Sequence, residues 1–74
     1  MAAGTNTMTI VEFGRNLRKL RIERSLTQEE VAESAAVSPR YVALIEAGAR
    51  NPTLTVILSL AAALSVPPHK LFKL

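Results

Sequence analysis

Two helix-start signatures stand close together in the middle of this chain, and their spacing constrains the fold more than any other feature. The first is Thr27-Gln28-Glu29-Glu30. A threonine followed three residues later by a glutamate forms a capping box: the hydroxyl accepts from the Glu30 backbone N–H, and the carboxylate accepts from the Thr27 N–H. Leu26 ahead of the cap and Val31 inside the helix have the spacing of a hydrophobic staple. The second signature is Ser38-Pro39. Serine is a strong N-cap, and proline suits the first helical position because the N–H it lacks would find no partner there. Val37 and Val42 repeat the staple. Helix two therefore ends near Ala35, and about three residues of turn remain before helix three. Two short helices joined so tightly must cross steeply, as in a helix-turn-helix.

The remaining segments also read as helices. Ile10, Phe13, Leu17 and Leu20 recur at helical spacing over about residues 10–24. Arg15, Arg18, Lys19 and Glu23 fall largely elsewhere, on a solvated face. Gly48 is placed to end helix three in a left-handed conformation. Helix four follows Pro52, over about residues 53–64, and a short fifth helix starts near Pro68. Small Ala32 lets helices two and three approach, while Val31, Val37, Val42 and Ile45 lock them to the rest. The expected fold class is all-α: a compact five-helix domain containing a helix-turn-helix. Residues 51–68 carry no charge, but the apolar run is too short for a ~20-residue membrane span. It also holds Thr55, Ser59 and Ser65 and stops at Pro67-Pro68, so it reads as a buried helix. No membrane partner is expected.

Composition narrows the function. With 74 residues the chain is one domain, and its net charge of +3 and pI near 10.0 suit a nucleic-acid or anionic-membrane partner. There is no Cys, hence no disulfide framework and no thiolate metal site. That usage fits a reducing cytoplasm, the expected location. His69 is the single histidine and reads as a surface residue. With no Asp or Cys, no nucleophile–base pair and no metal site can be argued. The chain is expected not to be an enzyme and to need no cofactor; no small-molecule substrate is evident. Residues 1–8 lack the basic start and apolar core of a signal peptide. They are expected to be disordered, with Met8 a candidate natural start, and residues 9–74 to form the domain.

Projected at ~100° per residue, Val42 and Ile45 of helix three point to the core. Arg40, Ala43, Leu44 and Ala47 point the other way. Apolar residues facing away from a core suit insertion into a DNA groove. Arg40 can donate two hydrogen bonds to guanine O6 and N7, and Ala43 and Leu44 can touch thymine methyls. The alternative for Leu44 is packing on a neighbouring helix. Arg40 also lies near the helix start, where recognition helices address base edges. Tyr41 flanks this face and is either a phosphate contact or an ordinary half-buried tyrosine. Gln28 sits at the amino end of helix two, where free N–H groups and the dipole favour a phosphate. Arg50 and Asn51, in the loop after helix three, are expected to hold the same strand.

At these residues the chain resembles the phage-repressor/Cro-like, or XRE-like, helix-turn-helix family. The resemblance covers about residues 13–72. It rests on Arg21, Leu26-Thr27-Gln28, Ala32, Val42, Ile45-Glu46-x-Gly48, Pro52 and Ala63-Leu64 in this order. It implies a five-helix fold, sequence-specific binding of double-stranded DNA and a two-fold dimer. It also implies an ion pair between Arg21 and Glu46, and the projection of helix three agrees with that pairing. Two residues depart from the family pattern. Ala36 stands in the tight turn where the family usually has Gly; if left-handed, an alanine there costs on the order of 1 kcal/mol. Pro39 stands where relatives often have a polar residue that contacts a base. It cannot donate, so direct readout leans on Arg40 and methyl contacts, and specificity partly on DNA shape.

Helix four carries Leu54, Val56, Ile57, Leu58, Leu60, Ala61 and Leu64, which surround it almost completely. A helix apolar all round must be covered on every side. The expected cover is a second copy, with Leu60, Leu64, Leu71, Phe72 and Leu74 at a two-fold homodimer interface. The alternative is that helix five folds back and covers helix four within one subunit. The expected function is a transcription regulator binding a pseudo-palindromic operator as a dimer through helix three in the major groove. The alternative is a protein-interaction module, such as an antitoxin or co-regulator, with DNA binding secondary. An acidic helix three would favour the latter; this one has only Glu46.

Overall fold

The computed structural model describes residues 8–72. The expectations placed on residues 1–7 and on Leu74 lie outside the described residues. Met8, at the end of the segment expected to be disordered, packs half-buried against the core. Four α-helices follow: α1 (Ile10–Glu23), α2 (Gln28–Ala35), α3 (Pro39–Glu46) and α4 (Leu54–Ala63). A 3₁₀ helix, Pro68–Phe72, comes last. There is no strand among the described residues.

Each α-helix starts on a hydroxyl. The side chains of Thr9, Thr27, Ser38 and Thr53 accept from the N–H groups of Glu12, Glu30, Tyr41 and Val56 at 3.1, 3.0, 3.0 and 3.3 Å. Glu12 and Glu30 complete two capping boxes by accepting from the backbone N–H of Thr9 and Thr27. Each helix also ends alike. Ser25, Ala36, Gly48 and Ser65 are left-handed, with φ of 56°, 59°, 75° and 56°. The next residue's N–H then reaches back to the last turn: Leu26 to Arg21, Val37 to Ala32, Ala49 to Leu44 and Val66 to Ala61, at 3.1, 3.0, 2.8 and 3.0 Å. This is the Schellman closure, which satisfies orphan carbonyls. It also aims the following side chain inward: Leu26 and Val37 pack against the core and Val66 is buried. Ala36 is thus left-handed, and its turn closes completely despite the side chain.

The core is drawn from every helix: Phe13 and Leu17, Val31 and Ala35, Val42 and Ile45, Leu60 and Leu64, with Leu71 from the 3₁₀ helix. α2 packs on α3 and α4, while α1 packs on α3 and the 3₁₀ helix. The α1–α3 approach is closest at Gly14. A Cβ there would overlap the Ile45 carbonyl oxygen and come within 2.8 Å of that of Glu46.

The tail departs from the expected packing. Its helix, Pro68–Phe72, is 3₁₀, with the Lys70 N–H bonded to the Pro67 carbonyl at 3.0 Å. It also folds back between α1 and α4, pinned by Asn16 Nδ2 donating to the Lys70 carbonyl at 2.7 Å. Leu60, Leu64 and Leu71 consequently have no exposed surface within one chain. Their assignment to a dimer interface is corrected: the fold-back covers that side of α4. Phe72 stays 47% exposed beside Phe13, and Leu54 and Leu58 on the outer side of α4 are 69% and 48% exposed. No helix among the described residues is long and apolar enough to cross a membrane.

Two substitutions should move stability in opposite directions. Gly14→Ala should destabilise by ~1–3 kcal/mol, since it drives α1 and α3 apart. Ala36→Gly should stabilise by about 1 kcal/mol by removing the left-handed penalty, raising Tm by roughly 4–8 °C. Thermal unfolding by circular dichroism reads both; a Gly14→Ala protein as stable as the parent would refute the close approach.

Candidate nucleic-acid interface

The site is organised around one carboxylate. Glu46 is the last residue of α3, and its side chain is 3% exposed. Arg21, near the end of α1, donates from Nε to Glu46 Oε2 at 2.6 Å and from Nη2 to Oε1 at 3.0 Å. Its Nη1 donates to the Leu26 carbonyl at 2.9 Å, just ahead of α2. Gln28, the first residue of α2, donates from Nε2 to Glu46 Oε1 at 3.0 Å. One network thus ties α1, the start of α2 and the end of α3. No buried side-chain nitrogen or oxygen among the described residues lacks a partner. The hydrogen bonds to Glu46 raise the Arg21 pKa above its ordinary value; burial opposes this, and the charges of Glu46 and Glu29 reinforce it.

With its end anchored, α3 divides into two faces. Val42 and Ile45 are fully buried. Opposite them, Pro39, Arg40 and Ala47 are exposed, and Ala43 and Leu44 are half-buried. Leu44 lies outside the core cluster, whereas Tyr41 packs half-buried against it. The only acid of α3, Glu46, is buried and paired, so the outer face carries Arg40 as its one charge. Arg50 and Asn51 are exposed just beyond α3, and Asn51 also borders an apolar recess with Met8, Ile10, Pro52, Ile57 and Phe72.

The structure therefore brings Pro39, Arg40, Ala43 and Leu44 onto one outward face, with Gln28 at the start of the neighbouring helix. It turns the Gln28 carboxamide toward Glu46, a role the sequence did not disclose. At the start of α2 the Thr27 hydroxyl serves Glu30, while the first N–H groups of any helix have no intrahelical partner. Gly14 was also missed, although an isolated glycine inside a helical pattern signals close packing. No cluster of three or more potential metal-ligating side chains occurs among the described residues.

Comparison with known proteins gives concordant matches. The Helix-turn-helix family model matches residues 17–71. An uncharacterized HTH-type transcriptional regulator, y4dJ, of Sinorhizobium fredii is 45% identical over 53 residues, 72% of this chain and 69% of that protein. The immunity repressor protein of Bacillus phage phi105 is 40% identical over 53 residues, 72% of this chain but 37% of that longer protein. Among solved structures, the restriction-modification controller protein C.AhdI from Aeromonas hydrophila superposes with a TM-score of 0.83 at 42% identity, covering 84% of this chain and 94% of that one.

Removing one member of a buried pair leaves an uncompensated charge. Glu46→Ala should destabilise by ~3–5 kcal/mol, a large share of the ~5–15 kcal/mol that holds a domain folded. Arg21→Met combined with Glu46→Leu should lose less than the single change, because both charges go together. Denaturant unfolding of the two proteins checks this; a Glu46→Ala midpoint equal to the parent's would contradict it.

Proposed function

The chain belongs to the helix-turn-helix family, and from that premise we propose that it is a transcription regulator binding double-stranded DNA sequence-specifically as a homodimer, with α3 in the major groove. The observation that carries this reading is the outer face of α3. It offers one cation, two half-buried apolar side chains and no exposed acid. B-DNA's major groove admits a helix, and the Arg40 fork matches guanine O6 and N7. Ala43 and Leu44 suit thymine methyls. Pro39, at the first helical position, contacts the base edges without donating.

Phosphates on either side are held by groups flanking α3. The first N–H groups of α2 and the Gln28 side chain favour an anion at one end. Arg50 and Asn51 supply the other end, and the Tyr41 hydroxyl, on a ring that packs on the core, supplies a further donor. These contacts position the protein and carry no sequence information. The repressor and regulator names of the relatives support the same reading.

The homodimer is proposed on corrected residues. Leu54 and Leu58 are one helical turn apart on the exposed side of α4. They adjoin Ile57, which borders the recess beside the exposed Phe72. Exposed apolar patches of this kind mark interaction surfaces, and a two-fold contact is the commonest solution. A dimer reading a two-fold site needs its two α3 helices at half-sites ~34–36 Å apart.

Arg40→Ala should cost ~1–3 kcal/mol on the preferred duplex and relax its preference, while Arg50→Ala should weaken all duplexes alike and lower the salt slope by about 1. Titrations of preferred and scrambled duplexes at several salt concentrations check both; an unchanged preference in Arg40→Ala would overturn the reading face. Sedimentation at micromolar concentration should show a dimer that Leu58→Glu converts to monomer. A parent protein monomeric at every concentration would overturn the dimer.

A further inference from the structure

We propose that Glu46 is a positioning residue for DNA contact: by accepting one N–H of the Gln28 carboxamide it fixes Nε2, rather than Oε1, at that position and leaves the second N–H as a donor for the DNA backbone. This rests on the reading that the start of α2 lies against a phosphate. The terminal torsion of a glutamine is broad and roughly two-fold, so an unrestrained carboxamide presents donor or acceptor with similar ease. A phosphate oxygen accepts only, and the wrong edge repels it. In this chain the ambiguity is removed by chemistry. An ionised carboxylate accepts only, so the edge of Gln28 that faces Glu46 Oε1 at 3.0 Å is the NH₂ edge. One N–H is used there, and the other remains on a half-buried side chain at the surface.

The carboxylate is itself held. Arg21 grips both of its oxygens, and a third Arg21 nitrogen is fixed on the Leu26 carbonyl. The order therefore runs outward, from α1 to Glu46 and from Glu46 to the rim of α2. Arg21 also neutralises the carboxylate, so that a negative charge can stand behind a phosphate contact without repelling the phosphate. The buried pair thus orients a donor as well as anchoring a helix.

The test is a double-mutant cycle on a duplex selected from a random pool. Gln28→Met, Glu46→Gln and the double variant are titrated against salt, with Arg40→Ala alongside and thermal unfolding recorded for each. Gln28→Met should weaken binding roughly tenfold and leave the salt slope near the parent's, because a neutral carboxamide releases no counterion. Glu46→Gln should weaken binding similarly in the parent and add little in the Gln28→Met background. Equal effects of Glu46→Gln in both backgrounds would overturn the inference. So would a Gln28→Met protein with parental affinity while Arg40→Ala still weakens binding. If neither Gln28→Met nor Arg40→Ala weakens binding, the DNA reading itself has failed. Should Glu46→Gln not fold, side-chain amide NMR of the parent decides. The Gln28 side-chain amide should be rigid in the free protein, with one proton protected from exchange by Glu46 and the other shifting when duplex is added; a mobile, rapidly exchanging carboxamide before and after would overturn the proposal.

Discussion

The placement of α3 depends on the buried contact between Arg21 and Glu46. An isolated helix of eight residues is unstable in water, so α3 holds its shape through what it touches. At its start, Ser38 caps it and the closed turn at Ala36 sets its approach. At its end, Glu46 is clamped by Arg21 while Gly14 lets the α1 backbone lie against the Ile45 and Glu46 carbonyls. Apolar side chains could fill the same volume with equal or better stability. What the ion pair adds is direction: two parallel hydrogen bonds define both the distance and the rotation of α3 relative to α1. That rotation decides which side chains of α3 face outward.

The ends of the helices govern the rest. Each begins on a hydroxyl and closes through a left-handed residue, and three of those four residues are not glycine. The chain accepts local strain at Ser25, Ala36 and Ser65 because the closure delivers Leu26, Val37 and Val66 to the core. Local geometry and tertiary packing thus reinforce each other at every corner, which is a mark of a consistently encoded fold. At Ala36 the consequence is functional, since this corner aims α3.

Much of this was legible in the sequence because it is local. Thr27 and Glu30, or Ser38 and Pro39, lie within a single turn, so the start of α2 and α3 follows from residue types alone. The division of α3 follows from its projection, with Val42 and Ile45 inside and Arg40 outside. What the sequence concealed depends on contacts between distant residues. Gln28 and Glu46 are 18 positions apart, and no periodicity connects them. The covered side of α4 was misassigned for the same reason. Counting apolar residues shows that Leu60, Leu64 and Leu71 must be buried, but not that the 3₁₀ helix buries them within one chain.

In the proposed complex the ion pair presents Arg40 and its apolar neighbours to the major groove of DNA. Methylation interference on a duplex selected from a random pool tests it most directly. A methyl group on guanine N7 occupies the major-groove edge that the Arg40 fork requires, whereas one on adenine N3 occupies the minor groove. N7 methylation of one or two guanines in each half-site should abolish binding, in two clusters about one helical turn apart. Interference confined to adenine N3, or none at any guanine, would contradict it.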